Sequence, residues 1–212
     1  VIIWNEQNLA FEWGRRRPDP AAYAALLRAV YPKAKEAAPD AVVIAGALSP
    51  GGDLGENAEV RMGDLRYTEE LYAAGAAPYF DMWALHNYGA QAPPDATPYP
   101  EEVNFRRAEV VRELLRHHGD GHKPLIITEG GWNDHPRWSA AVRPADRLRW
   151  TVEAYRMALE WEWLEAMCLW QLGTPWQART YQDNWNFVAS DGTPKAIYWA
   201  VREAFVPGAA PP

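Results

Sequence analysis

Five short apolar runs recur along this chain at an interval of about forty residues, and that beat limits the folds open to it more than any other feature. The runs occupy residues 1–4, 41–45, 80–85, 124–128 and 166–170, with starts spaced 40, 39, 44 and 42 residues apart. Each is bounded by turn residues and apolar at both alternating positions, the pattern of a strand buried on both faces. Helix-periodic segments fill the intervals. Residues 21–37 carry Tyr23, Leu26, Leu27, Val30 and Tyr31 on one face, and 67–74 turns Leu71 inward. Residues 101–118 repeat Val103, Val110, Val111, Leu114 and Leu115 and stop at Gly119. Residues 144–162 hold Leu148, Val152, Tyr155 and Leu159, and 195–205 follow the turn Asp191-Gly192-Thr193-Pro194. Such alternation predicts an α/β fold, a parallel sheet with crossover helices. A doubly wound sheet and a barrel both satisfy the spacing. No G-x-G-x-x-G follows the first run, which removes the main nucleotide-binding signature.

Composition narrows the function. A net charge of −7 argues against a nucleic-acid surface, which needs clustered Lys and Arg. The basic cluster Arg15-Arg16-Arg17 precedes Pro18 and reads as a solvated loop. Cys168 is the sole cysteine, so no internal disulfide forms, and its apolar run predicts a small buried side chain. No apolar stretch approaches the roughly 20 residues that span a bilayer, so no membrane partner is expected. The outliers are 12 tryptophans and 10 tyrosines, which fill cores and also stack on sugar rings.

Position separates these roles. Where parallel strands end, the chain places its unusual polar residues: Trp4-Asn5-Glu6 after the first run, His86-Asn87-Tyr88 after the third, Thr128-Glu129-Gly130-Gly131 after the fourth and Trp170-Gln171 after the fifth. In a barrel the active site is built at those ends. One acidic end is commonly a helix cap. Two glutamates converging with a His, a Tyr and a Trp point instead to chemistry. Paired carboxylates suit glycoside hydrolysis, in which one protonates the departing oxygen and the other attacks the anomeric carbon or activates water.

With these residues the chain resembles the clan A retaining glycoside hydrolases, the cellulase-like TIM-barrel superfamily, over essentially its whole length. The resemblance implies that Glu6 of Asn5-Glu6 is the acid/base at the end of strand four and Glu129 the nucleophile at the end of strand seven. It implies that Asn5 bonds the sugar 2-hydroxyl, that Tyr88 of His86-Asn87-Tyr88 orients the nucleophile, and that Trp170 floors the cleavage subsite. The expected fold is then an incomplete (β/α)8 barrel, strands four to eight with their helices, over residues 1–206, with 207–212 a Pro/Ala-rich tail. Because the chain opens inside a strand without methionine, strands one to three are expected upstream, and the chain alone is expected to be poorly stable or inactive. The expected partner is a carbohydrate, with neither metal nor cofactor. Secretion would suit the family; oligomeric state is not legible.

The mechanism requires Glu6 to start protonated, its surroundings raising its pKa, while hydrogen bonds keep Glu129 ionised. His86 suits sugar or supporting hydrogen bonds. Trp132, Asn133 and Asp134 follow the nucleophile and could equally line a sugar subsite or form a helix entry. One of Trp176, Tyr181 and Trp185, in the long loop after the fifth run, is expected to stack on substrate. Trp161 and Trp163 are assigned to a helix and, with Trp150 and Trp199, to packing. His117, His118 and His122 straddle the Gly119-Asp120-Gly121 turn and read as a solvated helix end. Two rivals remain. One is a degenerate barrel that binds glycans through its tryptophans without cleaving them. The other is an enolase-type metal-dependent lyase, which would need carboxylates at ends that here carry Ala47-Leu48-Ser49 and His86-Asn87-Tyr88.

Overall fold

A computed structural model describes residues 1–206; the tail at 207–212 lies outside the described residues. Its sheet has four parallel strands in sequential order, β1 (Ile44–Leu48), β2 (Met82–Tyr88), β3 (Leu125–Gly131) and β4 (Leu164–Met167). The α-helices are α1 (Pro20–Ala37), α2 (Asp64–Ala73), α3 (Arg107–His117), α4 (Pro144–Leu159) and α5 (Ala196–Phe205). None among the described residues is long and apolar enough to cross a membrane.

The helices cover one face of the sheet. Tyr23 and Leu27 of α1, Tyr67 and Leu71 of α2, and Val111 and Leu115 of α3 pack with Ala45, Trp83, Leu85, Leu125 and Ile127 from the strands. The alternate strand positions, Ile44, Ala47, Met82, Ala84 and Ile126, form a second, smaller cluster on the opposite face. This two-sided burial is what the near-continuous apolar runs required. Gly46 permits the β1–β2 approach: at φ +91°, a Cβ there would stand 2.2 Å from the carbonyl oxygen of Ala84.

The elements depart from the sequence reading at the edges. Residues 1–4 form no full strand; Ile2 makes an isolated parallel bridge to Ile44, with Ile3 N–H donating to the Ile44 carbonyl at 3.0 Å. This segment has one neighbour, and the chain turns away at Trp4 (φ 73°) and Glu6 (φ 46°). At the other edge β4 spans Leu164–Met167 rather than 166–170, and Cys168 is exposed, not buried. Among the described residues only β3 pairs with β4, so an apolar run there does not imply two-sided cover. Helix α3 starts six residues later than its periodicity suggests. The Asn104 amide donates to the Thr97 carbonyl and the Asn87 amide to the Phe105 carbonyl, bonds that hold the preceding segment as a turn. Trp161 and Trp163 lie between α4 and β4, stacked at 4.8 Å and packed on the core, rather than on a helix.

Candidate active site

Adjacent strand ends bring Glu129 beside His86, and a bulge decides which β3 side chain arrives there. Leu85 pairs with Ile127, but the next residue, His86, pairs with Glu129, so Thr128 is the extra residue in β3. A bulge re-aims the side chain that follows it. Without the slip, Thr128 would stand beside His86. Gly130 makes the close approach possible, since a Cβ there would meet the Asn87 carbonyl oxygen at 2.5 Å.

The segment after residues 1–4 delivers Glu6. Its N–H donates to the Ala47 carbonyl at 2.9 Å and its own carbonyl accepts from Leu9 N–H at 2.8 Å, which anchors a left-handed backbone that a glutamate seldom adopts. Glu6 Oε1 lies 2.8 Å from His86 Nδ1, Glu129 Oε2 lies 3.5 Å from the same nitrogen, and the Tyr88 hydroxyl donates to Glu129 Oε2 at 2.8 Å. The His86 ring is buried while both carboxylates are partly open. One ligand atom from each of Glu6, His86 and Glu129 lies within 4.8 Å of the others, the one such grouping of potential metal ligands found among the described residues.

Burial pushes the Glu129 carboxyl above its ordinary range; the neighbouring His86 and the Tyr88 hydrogen bond oppose this, while the charges of Glu6 and Glu12 add to it. The Tyr88 bond and His86 act in the direction expected of them, toward the ionised form of Glu129, but desolvation outweighs them. Burial and the Glu129 charge also push the Tyr88 phenol far up, so it remains a donor.

These groups open into a cleft of about 910 Å³ lined by Asn5, Glu6, Glu12, Arg61, Tyr88, Glu129, Asn133, Trp138, Trp170, Tyr181 and Trp185, among others. Trp138 stacks on Tyr181 at 5.1 Å, and Trp185 stands edge-on to both Trp138 and Tyr88. Of the three tryptophan and tyrosine candidates in the long loop, Tyr181 and Trp185 reach the cleft; Trp176 lines a separate small pocket with Lys195. Trp132 does not contact the cleft. It is 2% exposed, its indole N–H donates to the Ala92 carbonyl, and it packs against Phe105 and Trp150. Packing against Phe105 and Trp150 places it in the core, which corrects the sugar-subsite alternative for this residue. Asn133 does line the cleft, donating to the Tyr181 carbonyl, and Asp134 holds Asn184 and the buried Arg147.

Sequence reasoning passed over Glu12, Arg61 and Trp138. Trp138 carried a signal, an aromatic residue in a loop after a strand end; Glu12 and Arg61 carried none. At the opposite end of the strands a cavity of about 510 Å³ is lined by Asp81, Asp120, Lys123 and Phe80, among others. There Lys35 pairs with Asp81 and Lys123 with Asp120, and the Lys123 ammonium sits over the Phe80 ring, a network that reads as structural. His118 is tied to Glu69 and stacked on Tyr72.

No protein-family model and no curated protein matches this chain. Solved structures do. A family 39 glycoside hydrolase from Bacteroides cellulosilyticus WH2 superposes with a TM-score of 0.69 at 22% identity, over 96% of this chain and 39% of that one. A glucosidase from Croceicoccus marinus gives 0.64 at 15% identity, over 88% and 36%. A GH128 endo-beta-1,3-glucanase from Pseudomonas viridiflava gives 0.62 at 14% identity, over 95% and 68%. The chain thus spans about two fifths of the first of these. Its four-stranded parallel sheet is consistent with part of a TIM-barrel-like domain. The described residues share the fold of the matching part of these solved structures.

Proposed function

We propose that this chain carries the catalytic pair of a retaining O-glycoside hydrolase acting on an oligo- or polysaccharide. Glu129 attacks the anomeric carbon and forms a covalent glycosyl-enzyme while Glu6 protonates the leaving oxygen. Glu6 then takes the proton of the water that hydrolyses the intermediate, regenerating both carboxyl groups. The observation that carries this reading is the carboxylate spacing. Glu6 and Glu129 oxygens lie within 4.8 Å. Retaining pairs stand about 5–5.5 Å apart, whereas inverting pairs need about 6.5–9.5 Å to admit a water. Tyr88 donating to Glu129 Oε2 fixes which oxygen is free to attack. Asn5, Trp170 and the Trp138–Tyr181–Trp185 wall supply polar and aromatic contacts suited to a sugar. His86 is read here as holding both carboxylates rather than as touching substrate.

The test is turnover of a panel of aryl glycosides, with the anomeric configuration of the first product followed by NMR. Retention is expected. Glu129→Ala should lose turnover by several orders of magnitude and, with azide, form a glycosyl azide of inverted configuration. Wild-type-like turnover by Glu129→Ala, or an inverted first product from the parent, would overturn the reading. Glycan binding with no release of reducing sugar would favour a non-catalytic binding role.

A further inference from the structure

We propose that Glu6, His86 and Glu129 form a binding site for a divalent cation of the zinc class. The argument starts from the donor separations. Zinc bonds to nitrogen and oxygen at about 2.0–2.2 Å, so donors in a four-coordinate shell stand roughly 3.3–3.6 Å apart and neighbouring donors in a six-coordinate shell roughly 2.9–3.1 Å. His86 Nδ1 lies 2.8 Å from Glu6 Oε1, at the short end of the six-coordinate spacing, and 3.5 Å from Glu129 Oε2, within the four-coordinate one. The widest separation in the triangle is within 4.8 Å, and both glutamates are partly open to the cleft.

Preorganisation and charge favour the same conclusion. The imidazole is 3% exposed and fixed within β2, with Nδ1 directed between the two carboxylates. Nδ1 is therefore aimed at the site in advance, and a cation that binds it displaces the proton shared with Glu6 Oε1. The cleft wall adds the carboxylate of Glu12 against the single guanidinium of Arg61, so the surroundings carry net negative charge. The remaining coordination positions face the cleft, where solvent can fill them. One imidazole nitrogen with two carboxylate oxygens suits borderline cations such as Zn²⁺, whereas Mg²⁺ and Ca²⁺ favour oxygen-only shells. The surface pair His118–Glu69 offers two donors only.

A cation held there bridges the two carboxyl groups and occupies the space assigned to the anomeric carbon. Exclusion of the sugar therefore rests on the hydrolase reading, while binding itself does not.

Zinc chloride titrated calorimetrically into the full chain at neutral pH tests the site, with Co²⁺ absorption reporting coordination. One equivalent is expected to bind. Glu6→Gln and Glu129→Gln should each weaken binding by at least about tenfold, while His118→Ala should stay within about twofold of the parent. Near-UV circular dichroism checks that each variant is folded, and the near-isosteric glutamine variants keep the test decisive if His86→Asn does not fold. The site is overturned if neither cation binds at about 1 mM, or if Glu6→Gln binds like the parent, or if His118→Ala abolishes binding. If a glycoside is hydrolysed, Zn²⁺ should raise KM and leave kcat unchanged; a fall in kcat alone would overturn the proposed location. If no glycoside is hydrolysed, the hydrolase reading fails and the titrations still decide the cation site.

Discussion

Replacing Arg107 with methionine isolates the interaction that fixes the cleft's upper loops. Arg107 is 3% exposed and Asp64 5%. The guanidinium donates from Nε to Asp64 Oδ2 at 2.8 Å and from Nη2 to Oδ1 at 2.6 Å, and from Nη1 to the carbonyls of Pro100 and Glu102. Asp64 Oδ1 also accepts from Gly51 N–H at 3.1 Å. One side chain thus ties the loop after β1 to the segment before α3, close to Arg61 and Val103 in the cleft wall. Methionine keeps much of the stem volume but leaves Asp64 with a single backbone donor in place of three. Two charge-assisted hydrogen bonds at about 1.5–3 kcal/mol each give a loss of roughly 3–6 kcal/mol, in line with the about 3–5 kcal/mol typical of breaking a buried pair from one side. Against a total stability of about 5–15 kcal/mol this is a large fraction. Urea denaturation followed by tryptophan fluorescence should show the midpoint falling by roughly 1–2 M. The double variant Asp64→Asn with Arg107→Met removes the orphaned charge and should be more stable than Arg107→Met alone. The reasoning is refuted if Arg107→Met lies within about 1 kcal/mol of the parent, or if the double variant loses the sum of the two single losses.

Tyr88→Phe removes the donor to Glu129 while keeping the ring against Trp185; kcat should fall roughly 10- to 100-fold, the equivalent of about 1.5–3 kcal/mol, with the melting temperature little changed. Trp132→Ala should cost about 3–5 kcal/mol in denaturant unfolding because it empties a core position, whereas Trp138→Ala, in the cleft wall, should raise KM with little loss of stability. Asp81 supplies a pH test. Burial pushes its carboxyl up, but Lys35, Val43 N–H and the Tyr31 hydroxyl outweigh this and hold it below the ordinary range. A depressed folded value gives stability that is present above the unfolded pKa of about 3.9 and lost as pH falls through the folded value. The stability gap between parent and Asp81→Asn should therefore narrow below about pH 4, and an equal gap at pH 6 and pH 3 would count against it.

The sequence displayed what local physics writes into it. Two-sided burial makes β1 and residues 82–85 of β2 apolar, so the runs at 41–45 and 80–85 announced strands whose ends shifted by only a few residues. Strand ends are solvated, so Glu6, His86, Tyr88, Glu129 and Trp170 stood out there as polar or aromatic residues. What stayed hidden depends on neighbours distant in sequence. The slip at Thr128 comes from how β3 fits β2, and no pattern within residues 124–131 encodes it. Trp132 follows two glycines and resembles a loop residue; only the packing of Phe105 and Trp150 around it makes it core. Cys168 reads as buried because its run is apolar, yet it lies just past β4, which among the described residues pairs with β3 alone.

The Glu129 carboxyl shows why chemistry is harder to read than position. Its hydrogen-bond donor, Tyr88, and its neighbour His86 were both visible as residue types beside a strand end. Each favours the ionised form, and on their account alone the carboxylate should be held low. Opposing them are burial and two further carboxylates, one of which, Glu12, comes from a turn with no distinguishing motif. Desolvation is the largest of these contributions, and each falls steeply with distance or exposure. The sign of the sum is then set by how far the folded chain buries the carboxyl, which a list of residues does not contain. The same packing brings His86 Nδ1 to 2.8 Å from Glu6 Oε1 and 3.5 Å from Glu129 Oε2.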